Sequence, residues 1–155
     1  MTHARQQIRE AAATALRVTP AAWGQVFETR IPSSRAVLPY LMVFSDGDAV
    51  DASSVNLPDT YLRDLNLVVA GRLRLPGNND TETVEDRMDA LAAEVETKLK
   101  FSTLLTTLTQ LKGLRLTSTE MLVVIDEQDA PHYAEVTLQF IARYATAEGL
   151  PETLI

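Results

Sequence analysis

The chain has 155 residues, a formal net charge of −7, 46% apolar and 23% charged residues, and no cysteine. This composition predicts a single soluble globular domain over residues 1–155 and excludes disulfides, thiolate catalysis and cysteine-based zinc sites. Tight binding of nucleic acid needs a basic patch, and the lysines and arginines here are scattered, so the sequence argues against a DNA-binding protein. No stretch of 18 apolar residues predicts a membrane-spanning helix, and the N-terminal segment lacks the apolar core of a secretory signal.

The first part of the chain predicts a helix followed by a strand. Residues 2–17 place their apolar side chains on one stripe at helical spacing, with Thr2 as the N-cap. Residues 23–31 alternate between apolar positions and the charged Glu28 and Arg30, which predicts a first strand.

Residues 36–44 predict a second strand that is apolar on both faces. Such a strand is covered on both sides, and we expect a helix on one side and a neighbouring chain on the other. Pro39 leaves a gap in the ladder of hydrogen bonds, which favours an edge position or a bulge. Residues 45–58 are rich in polar and turn-forming types and predict a loop.

Three acids of this loop, Asp46, Asp48 and Asp51, partly match a calcium-binding loop. The match fails at the glycine, because Gly47 directly follows the first acid, and no glutamate stands at the twelfth position. We therefore interpret the three carboxylates as acids of a solvated loop.

The longest predicted strand covers residues 61–75. One of its faces is apolar apart from Arg63, and the other carries Asp64, Arg72 and Arg74. Strands usually have about five or six residues, so we expect this one to extend beyond its own core. Because the sequence reveals no partner for the charges on its second face, we predict that this face contacts another subunit.

A second helix is predicted after the turn at residues 76–79. Asp80 or Thr81 caps it, and it runs to about Leu99, with acids in its first turns and lysines at its end. Its buried stripe comprises Val84, Met88, Leu91, Ala92, Val95 and Leu99. Residues 101–113 predict a short helical turn or an irregular link.

The last part of the chain predicts two strands and a polar tail. Residues 114–126 form a strand with a bulge near Glu120, and residues 132–146 form a long strand that is apolar at alternate positions. The tail starts at residue 147. The order of elements predicts an α+β domain, with a largely antiparallel (mixed) sheet of about 4–5 strands and two main helices packed on one face.

The sequence contains no recognisable catalytic motif. The serines lack a G-x-S-x-G context, and neither histidine is placed by a motif to activate one. Asp126, Asp129 and His132 are residue types that bind metals, but an exposed acidic hairpin tip explains them more simply. We therefore predict no enzyme activity, no metal and no cofactor.

Six stretches of the chain carry a resemblance to a known family. They are HARQQIREAAATAL, VFETRI, LPYLMVFSD, RDLNLVVAG, DRMDALAAEVETKL and LTSTEMLVVIDEQDAPHYAEVTLQFIARYAT. In their order along the chain and in their local amino-acid sequence, they resemble phage tail terminator proteins, the minor tail protein U type of long non-contractile tails. The similarity covers nearly the whole chain.

This resemblance implies a structural virion protein rather than an enzyme. Such a protein forms a ring, in our expectation a hexamer, at the head-proximal end of the tail tube. It ends tube polymerisation and offers a surface to the head-completion or neck protein, while DNA passes through its centre without specific binding. The implied partners are further copies of the chain, the major tail tube protein and the neck protein, with assembly in the host cytoplasm and no membrane.

A cyclic ring joins two different patches of each subunit. We predict that nine charged residues contribute to them: Glu28, Arg30, Asp46, Asp48, Asp51, Arg63, Asp64, Arg72 and Arg74. In this hypothesis Arg72 and Arg74 meet acids of a neighbour, because the forked donors of arginine suit interface ion pairs. The alternative is that these arginines keep an overhanging strand soluble.

Two other functions stay open at this point. The chain could be a different head–tail connector of the neck, because the features of the sequence do not distinguish such a connector from a terminator. It could also be a small α+β domain that binds a metal or ligand in an acidic pocket, either at residues 46–51 or at Asp126, Asp129 and His132. That second function needs titratable groups that converge in a cleft.

Overall fold

The computed structural model describes residues 3–17, 25–33, 35–51, 60–77, 81–109, 113–124 and 133–154. They form α1 (Ala4–Leu16), β1 (Gln25–Phe27), β2 (Tyr40–Val50), β3 (Thr60–Arg74), α2 (Val84–Lys100), α3 (Thr103–Thr109), β4 (Leu114–Val124), β5 (Tyr133–Ala147) and β6 (Leu150–Leu154). The strand order is β1-β2-β3-β5-β4, and β6 pairs with β5. β1 is parallel to β2 and all other pairs are antiparallel, so the chain has the predicted α+β fold with a mixed sheet.

The hydrophobic core lies between the helices and one face of the sheet. β3 and β5 contribute alternate residues to it, and α1 and α2 contribute their apolar stripes. The predicted inward positions of β5 are all buried: Ala134, Val136, Leu138, Phe140, Ala142 and Tyr144. The predicted stripe of α2 is buried from Met88 to Leu99, which confirms that both main helices pack on the same face.

α2 approaches the sheet closely at Gly71 of β3. A Cβ atom added to Gly71 would lie 2.5 Å from Cδ1 of Leu91 and 2.9 Å from Cδ2 of Leu41. Both leucines are fully buried, so a larger side chain would have to displace packed core atoms. The absence of a side chain at residue 71 therefore sets how near α2 lies to β3.

The N-cap of α1 is one residue later than predicted. His3 is its N-cap, and the His3 Nδ1 accepts a hydrogen bond from the backbone N–H of Arg5 at 3.1 Å. The predicted cap, Thr2, lies outside the described residues.

α2 is capped by Thr83. The Thr83 hydroxyl accepts from the backbone N–H of Asp86, and the Asp86 carboxylate accepts from the N–H of Thr83, which completes a capping box. The prediction of Thr81 as the cap is wrong, because the residue three positions after Thr81 is Val84, which cannot return the hydrogen bond. Asp80 lies outside the described residues.

The first two strands differ from the predicted ones in their bounds. β1 ends at Phe27 and residues 28–31 form a bend, so the prediction of a strand to residue 31 is wrong. β2 starts directly after Pro39, which therefore leaves no gap in the ladder. β2 then continues to Val50 through residues predicted as a loop, with a bulge between Ser45 and Asp48.

The second face of β2 is covered by its own chain. Tyr40 and Met42 are buried, and Phe27, Ala36 and Leu38 pack against them. The rings of Phe27 and Tyr40 meet edge to face with their centres 5.8 Å apart. The chain therefore covers this part of the strand itself, and contact with a neighbouring chain stays a prediction.

β3 matches the predicted long strand but does not extend beyond the core. Each residue from Thr60 to Arg74 pairs with a residue of β5, and the opposite edge of β3 pairs with β2. The predicted overhang is wrong because β5 is equally long. β3 is the central strand of the sheet.

The C-terminal elements add two corrections. The bulge of β4 lies between Leu116 and Ser118 rather than near Glu120. β6 forms where the sequence predicts a polar tail, because Gly149 adopts a positive φ of 74° and turns the chain back along the end of β5. α3 confirms the short helical turn predicted within residues 101–113.

Candidate subunit interface

Asp48 lies at the centre of a polar cluster on the helix-covered side of the sheet, opposite Leu65 of β3. Its Oδ2 accepts hydrogen bonds from Nη1 of Arg63 at 3.0 Å and from the Tyr144 hydroxyl at 2.9 Å. Its Oδ1 accepts from Nη1 of Arg5 at 3.2 Å. Donors from α1, β3 and β5 thus converge on one carboxylate, whose side chain is only 11% exposed.

The pKa values of Asp48 and Tyr144 are shifted in the directions that favour the hydrogen bond between them. Burial alone would raise the pKa of Asp48, but the hydrogen bonds from Arg63 and Tyr144 and the positive charges of Arg5 and Arg63 outweigh it, so the pKa is lowered. Burial and the bond to the carboxylate raise the pKa of Tyr144. Asp48 is therefore a carboxylate that accepts hydrogen bonds, and Tyr144 is a phenol that donates one. The hydrogen bonds of this cluster connect β2 to α1, β3 and β5.

The face of the sheet away from the helices, here called the open face, carries two ion pairs between β3 and β5. Asp64 stands directly opposite Arg143, whose Nε and Nη2 each donate to one Asp64 oxygen at 2.8 Å. This forked geometry is the strong form of an arginine–carboxylate pair. The hydrogen bond from Arg143 outweighs burial and lowers the pKa of Asp64. Arg143 also lies 3.3 Å from Oδ2 of Asp51.

The second ion pair of the open face is formed by Arg72. Its Nε donates to Oε2 of Glu135, directly opposite in β5, at 2.7 Å, and its Nη1 donates to the Tyr40 hydroxyl at 3.0 Å. The guanidinium also lies 4.8 Å from the centre of the Tyr133 ring. Side chains of β2 and β5 therefore hold Arg72 in place.

Three more of the predicted interface residues form ion pairs near the start of the sheet. Arg30 donates to Asp46 Oδ1 and to the Ser45 carbonyl, both at 2.8 Å. Glu28 accepts from Nη1 of Arg17 at 2.8 Å. The side chains of Arg30 and Asp46 are more than half exposed, and such surface pairs contribute little to stability.

Eight of the nine predicted interface residues thus form ion pairs within the chain. The ninth, Arg74, is exposed at the end of β3. The expectation that Asp64 and Arg72 lack a partner in the same chain is wrong, because Arg143 and Glu135 face them across the ladder. The contact of these nine residues with a neighbouring subunit stays a prediction.

The residues described here bring no metal site together. Among them, no group of three or more histidine, cysteine, aspartate or glutamate side chains is arranged to hold an ion. Asp46, Asp48 and Asp51 are each paired with different arginines. Asp126, Asp129 and His132 lie outside the described residues.

Sequence reasoning missed Arg143, Glu135 and Tyr144 as the partners of the predicted residues. The signal that reveals the first two is the charge pattern of the two long strands. When residues 61–75 are aligned antiparallel to 132–146 with Asp64 opposite Arg143, Arg72 falls opposite Glu135 as well. Tyr144 gives no such signal, because its partner Asp48 lies on the same face of the sheet only as a result of the bulge in β2.

No protein-family model matches the chain, and no curated protein shows significant sequence similarity to it. None of the helices in the described part of the chain is long and apolar enough to cross a membrane.

Proposed function

We propose that the chain is a structural protein of a phage virion, a tail terminator. Copies of it form a ring of about six subunits at the head-proximal end of the tail tube, end tube polymerisation and join the tube to the neck proteins. We base this proposal first on the resemblance in element order and local amino-acid sequence. The structural observation that supports the proposal most is the composition of the open face.

The open face combines a small apolar centre with charges that are neutralised in the plane of the sheet. Val68 and Ala70 of β3 lie on this side and are buried. Around them lie the pairs of Asp64 with Arg143 and Arg72 with Glu135. Because Val68 and Ala70 are already buried within the chain, this face presents its paired charges to a partner. A surface with paired charges can meet another protein without leaving a charge unpartnered, whereas a catalytic cleft would need ionisable groups free to react.

The charge of the chain is also consistent with a ring through which DNA passes. Each copy carries a net charge of −7. A ring built of such copies repels the phosphate backbone instead of binding it. The acids on the outer side of α2, among them Glu85, Asp86 and Asp89, contribute to this charge and are exposed.

The direct experiment is polymerisation of the tail tube protein in the presence of this chain. We expect tubes of reduced and uniform length, with the chain visible at one end by electron microscopy. Tubes that grow to the same lengths as without the chain, and that carry none of it at their ends, would contradict the proposal. Binding to the neck protein without any binding to tubes would instead identify another connector of the neck.

A further inference from the structure

A groove crosses the open face over the first half of β3. It encloses about 550 Å³, and each of four strands contributes a polar side chain to its wall: Asp46 of β2, Asn66 of β3, Gln139 of β5 and Thr117 of β4. A second hollow of about 260 Å³, with Arg115 on its wall, continues it, because Asp64 and Ile141 line both. The two together are called the open-face groove.

Two carboxamides of the groove have unused hydrogen-bonding groups. Asn66 and Gln139 are half-buried and lie diagonally across β3 and β5, since Asn66 faces Ile141 and Gln139 faces Val68. Neither side chain forms a hydrogen bond with a described residue. A carboxamide offers a C=O acceptor and N–H donors, the same groups that a peptide bond presents, so the pair matches the main chain of an extended polypeptide. Among the described residues that line the groove none is aromatic, which disfavours a nucleic-acid base as the ligand.

Arg115 gives the groove a cation that can receive an acidic side chain. Asp46 and Asp64 of the groove are already held by Arg30 and Arg143. Arg115 is exposed and belongs to no ion pair with any residue that the structure describes. Its five N–H donors suit a carboxylate. The groove therefore fits an extended polypeptide segment that carries acidic residues.

Residues 125–132 have this chemistry. They connect β4 to β5, lie outside the described residues and contain three acids but no lysine or arginine. Each of the other segments outside the described residues contains at most one acid. The acids at this turn, which the sequence analysis interpreted as an exposed hairpin tip, thus match the one feature that the groove demands of a ligand.

The reach of this segment makes a second copy the partner. Arg115 pairs with Ile141, which lies eight residues along β5 from Tyr133, or about 26 Å. The eight residues 125–132 start and end at the paired strand ends Val124 and Tyr133, so they reach at most about 14 Å beyond them. The segment is therefore too short to bring its acids to Arg115 of its own copy, whereas the groove of a neighbouring copy has no such limit.

We propose that the open-face groove binds the acidic segment 125–132 of a second copy of the chain. Main-chain groups of the segment bond to Asn66 and Gln139, and one of its carboxylates pairs with Arg115. Each copy gives its segment to one neighbour and receives the segment of another, which is the head-to-tail contact that a ring requires. In naming this neighbour, the inference rests on the proposed function.

The test compares two triple variants that remove the same charge from different places. The segment variant is Asp126→Asn, Glu127→Gln, Asp129→Asn. The α2 variant is Glu85→Gln, Asp89→Asn, Glu96→Gln, at exposed positions on the outer side of that helix. Each loses three negative charges, so the net charge changes from −7 to −4 in both. The particle mass of each variant and of the unchanged chain is measured by sedimentation over a range of concentrations.

The two variants should differ in the direction of the effect. Loss of negative charge weakens the repulsion between copies, so we expect the α2 variant to assemble at the same concentration as the unchanged chain or at a lower one. The segment variant should need a concentration at least about tenfold higher, because the carboxylate that pairs with Arg115 is lost at each contact.

A second comparison tests the groove itself without a change of charge. Gln139→Leu removes one of the two carboxamides, and Thr137→Val makes a similar polar-to-apolar change on the same face of β5 outside the groove. We expect Gln139→Leu to raise the concentration needed for assembly severalfold, because main-chain groups of the bound segment lose their partner. Thr137→Val should assemble like the unchanged chain.

Each outcome decides the inference. Assembly of the segment variant at the unchanged concentration or below it overturns the inference, and if rings still form, the proposed function stands without it. Equal weakening of both triple variants, or normal assembly of Gln139→Leu, also overturns it. A dimer that only the segment variant dissociates supports the groove contact and contradicts the ring. A chain that stays monomeric with and without tube protein overturns the inference. If the segment variant changes the circular dichroism spectrum of the fold, the comparison of Gln139→Leu with Thr137→Val decides.

Discussion

Asp48 connects three parts of the fold through one carboxylate. If it is replaced by alanine, the Tyr144 hydroxyl and the Arg63 guanidinium lose their acceptor within a largely buried cluster. We expect Asp48→Ala to lower the free energy of unfolding by about 1–3 kcal/mol, the usual cost of leaving buried polar groups unpaired. Urea unfolding measures the change.

Asp46→Ala is the matched control, because Asp46 belongs to an exposed pair with Arg30. Loss of that pair should lower the free energy of unfolding by less than about 1 kcal/mol. Equal effects of the two substitutions would contradict the role given to Asp48.

The lowered pKa values of Asp48 and Asp64 predict acid sensitivity. A carboxyl group whose pKa is lower in the folded state contributes stability that is fully present above its unfolded value of about 3.9. That contribution is lost as the pH falls through the lower pKa of the folded state. We therefore expect the unfolding free energy to decrease on acidification below about pH 5, and to decrease less in the double variant Asp48→Asn, Asp64→Asn. Urea unfolding across this range checks it, and identical pH dependence in both proteins would disprove the assignment.

For the elements, the pairing of β3 with β5 has a signal in the sequence that the sequence analysis did not use, and the shape of β2 has none. Apolar residues alternate in the same way in both long strands. At a single register, two pairs of opposite charges face each other across the strands. β2 is different, because residues 45–48 are polar or glycine, and in the fold the carboxylates of Asp46 and Asp48 pair with Arg30, Arg63 and Arg5. Those arginines are distant in sequence, so a local pattern of turn-forming residues predicts a loop.

The cross-strand pair of Arg72 and Glu135 gives a prediction about the sheet. Arg72→Glu places two carboxylates directly opposite each other, and we expect it to lower the unfolding free energy by about 1 kcal/mol or more. The double variant Arg72→Glu, Glu135→Arg restores opposite charges and should recover most of the loss, although the bond to Tyr40 is not restored. Thermal melts of the three proteins measure this. A double variant as unstable as Arg72→Glu would mean that the pair is not what holds these positions.

The packing of α2 on β3 gives a second prediction at this scale. Gly71→Ala adds a methyl group where Leu91 and Leu41 leave no room, and overpacking of this kind costs about 1–3 kcal/mol. Truncation of the opposing side chain makes space, so Gly71→Ala combined with Leu91→Ala should cost less than the two single changes together. Urea unfolding of the single and double variants measures the coupling. Strict additivity would show that Gly71 does not set the distance between α2 and the sheet.

At the scale of the whole molecule, the fold class was accessible from the sequence because the helical stripes and the strand alternation are strong and agree with one another. The candidate interface was less accessible. Charges such as Asp64 and Arg72 look unpartnered in a linear sequence, and only the register of β3 with β5 shows that they are paired within the chain. Met121 and Leu122 are exposed in a strand that the sequence predicts, but the outermost position of β4 depends on a topology that local patterns do not encode.

We propose that copies of this chain assemble into a ring of about six. The native mass of the purified chain, measured alone and with the tail tube protein, tests this proposal, because the tube is the proposed site of assembly. We predict particles of six times the chain mass of 17.1 kDa, seen end-on as rings by negative-stain microscopy. A chain that remains at 17.1 kDa under both conditions would rule out the ring.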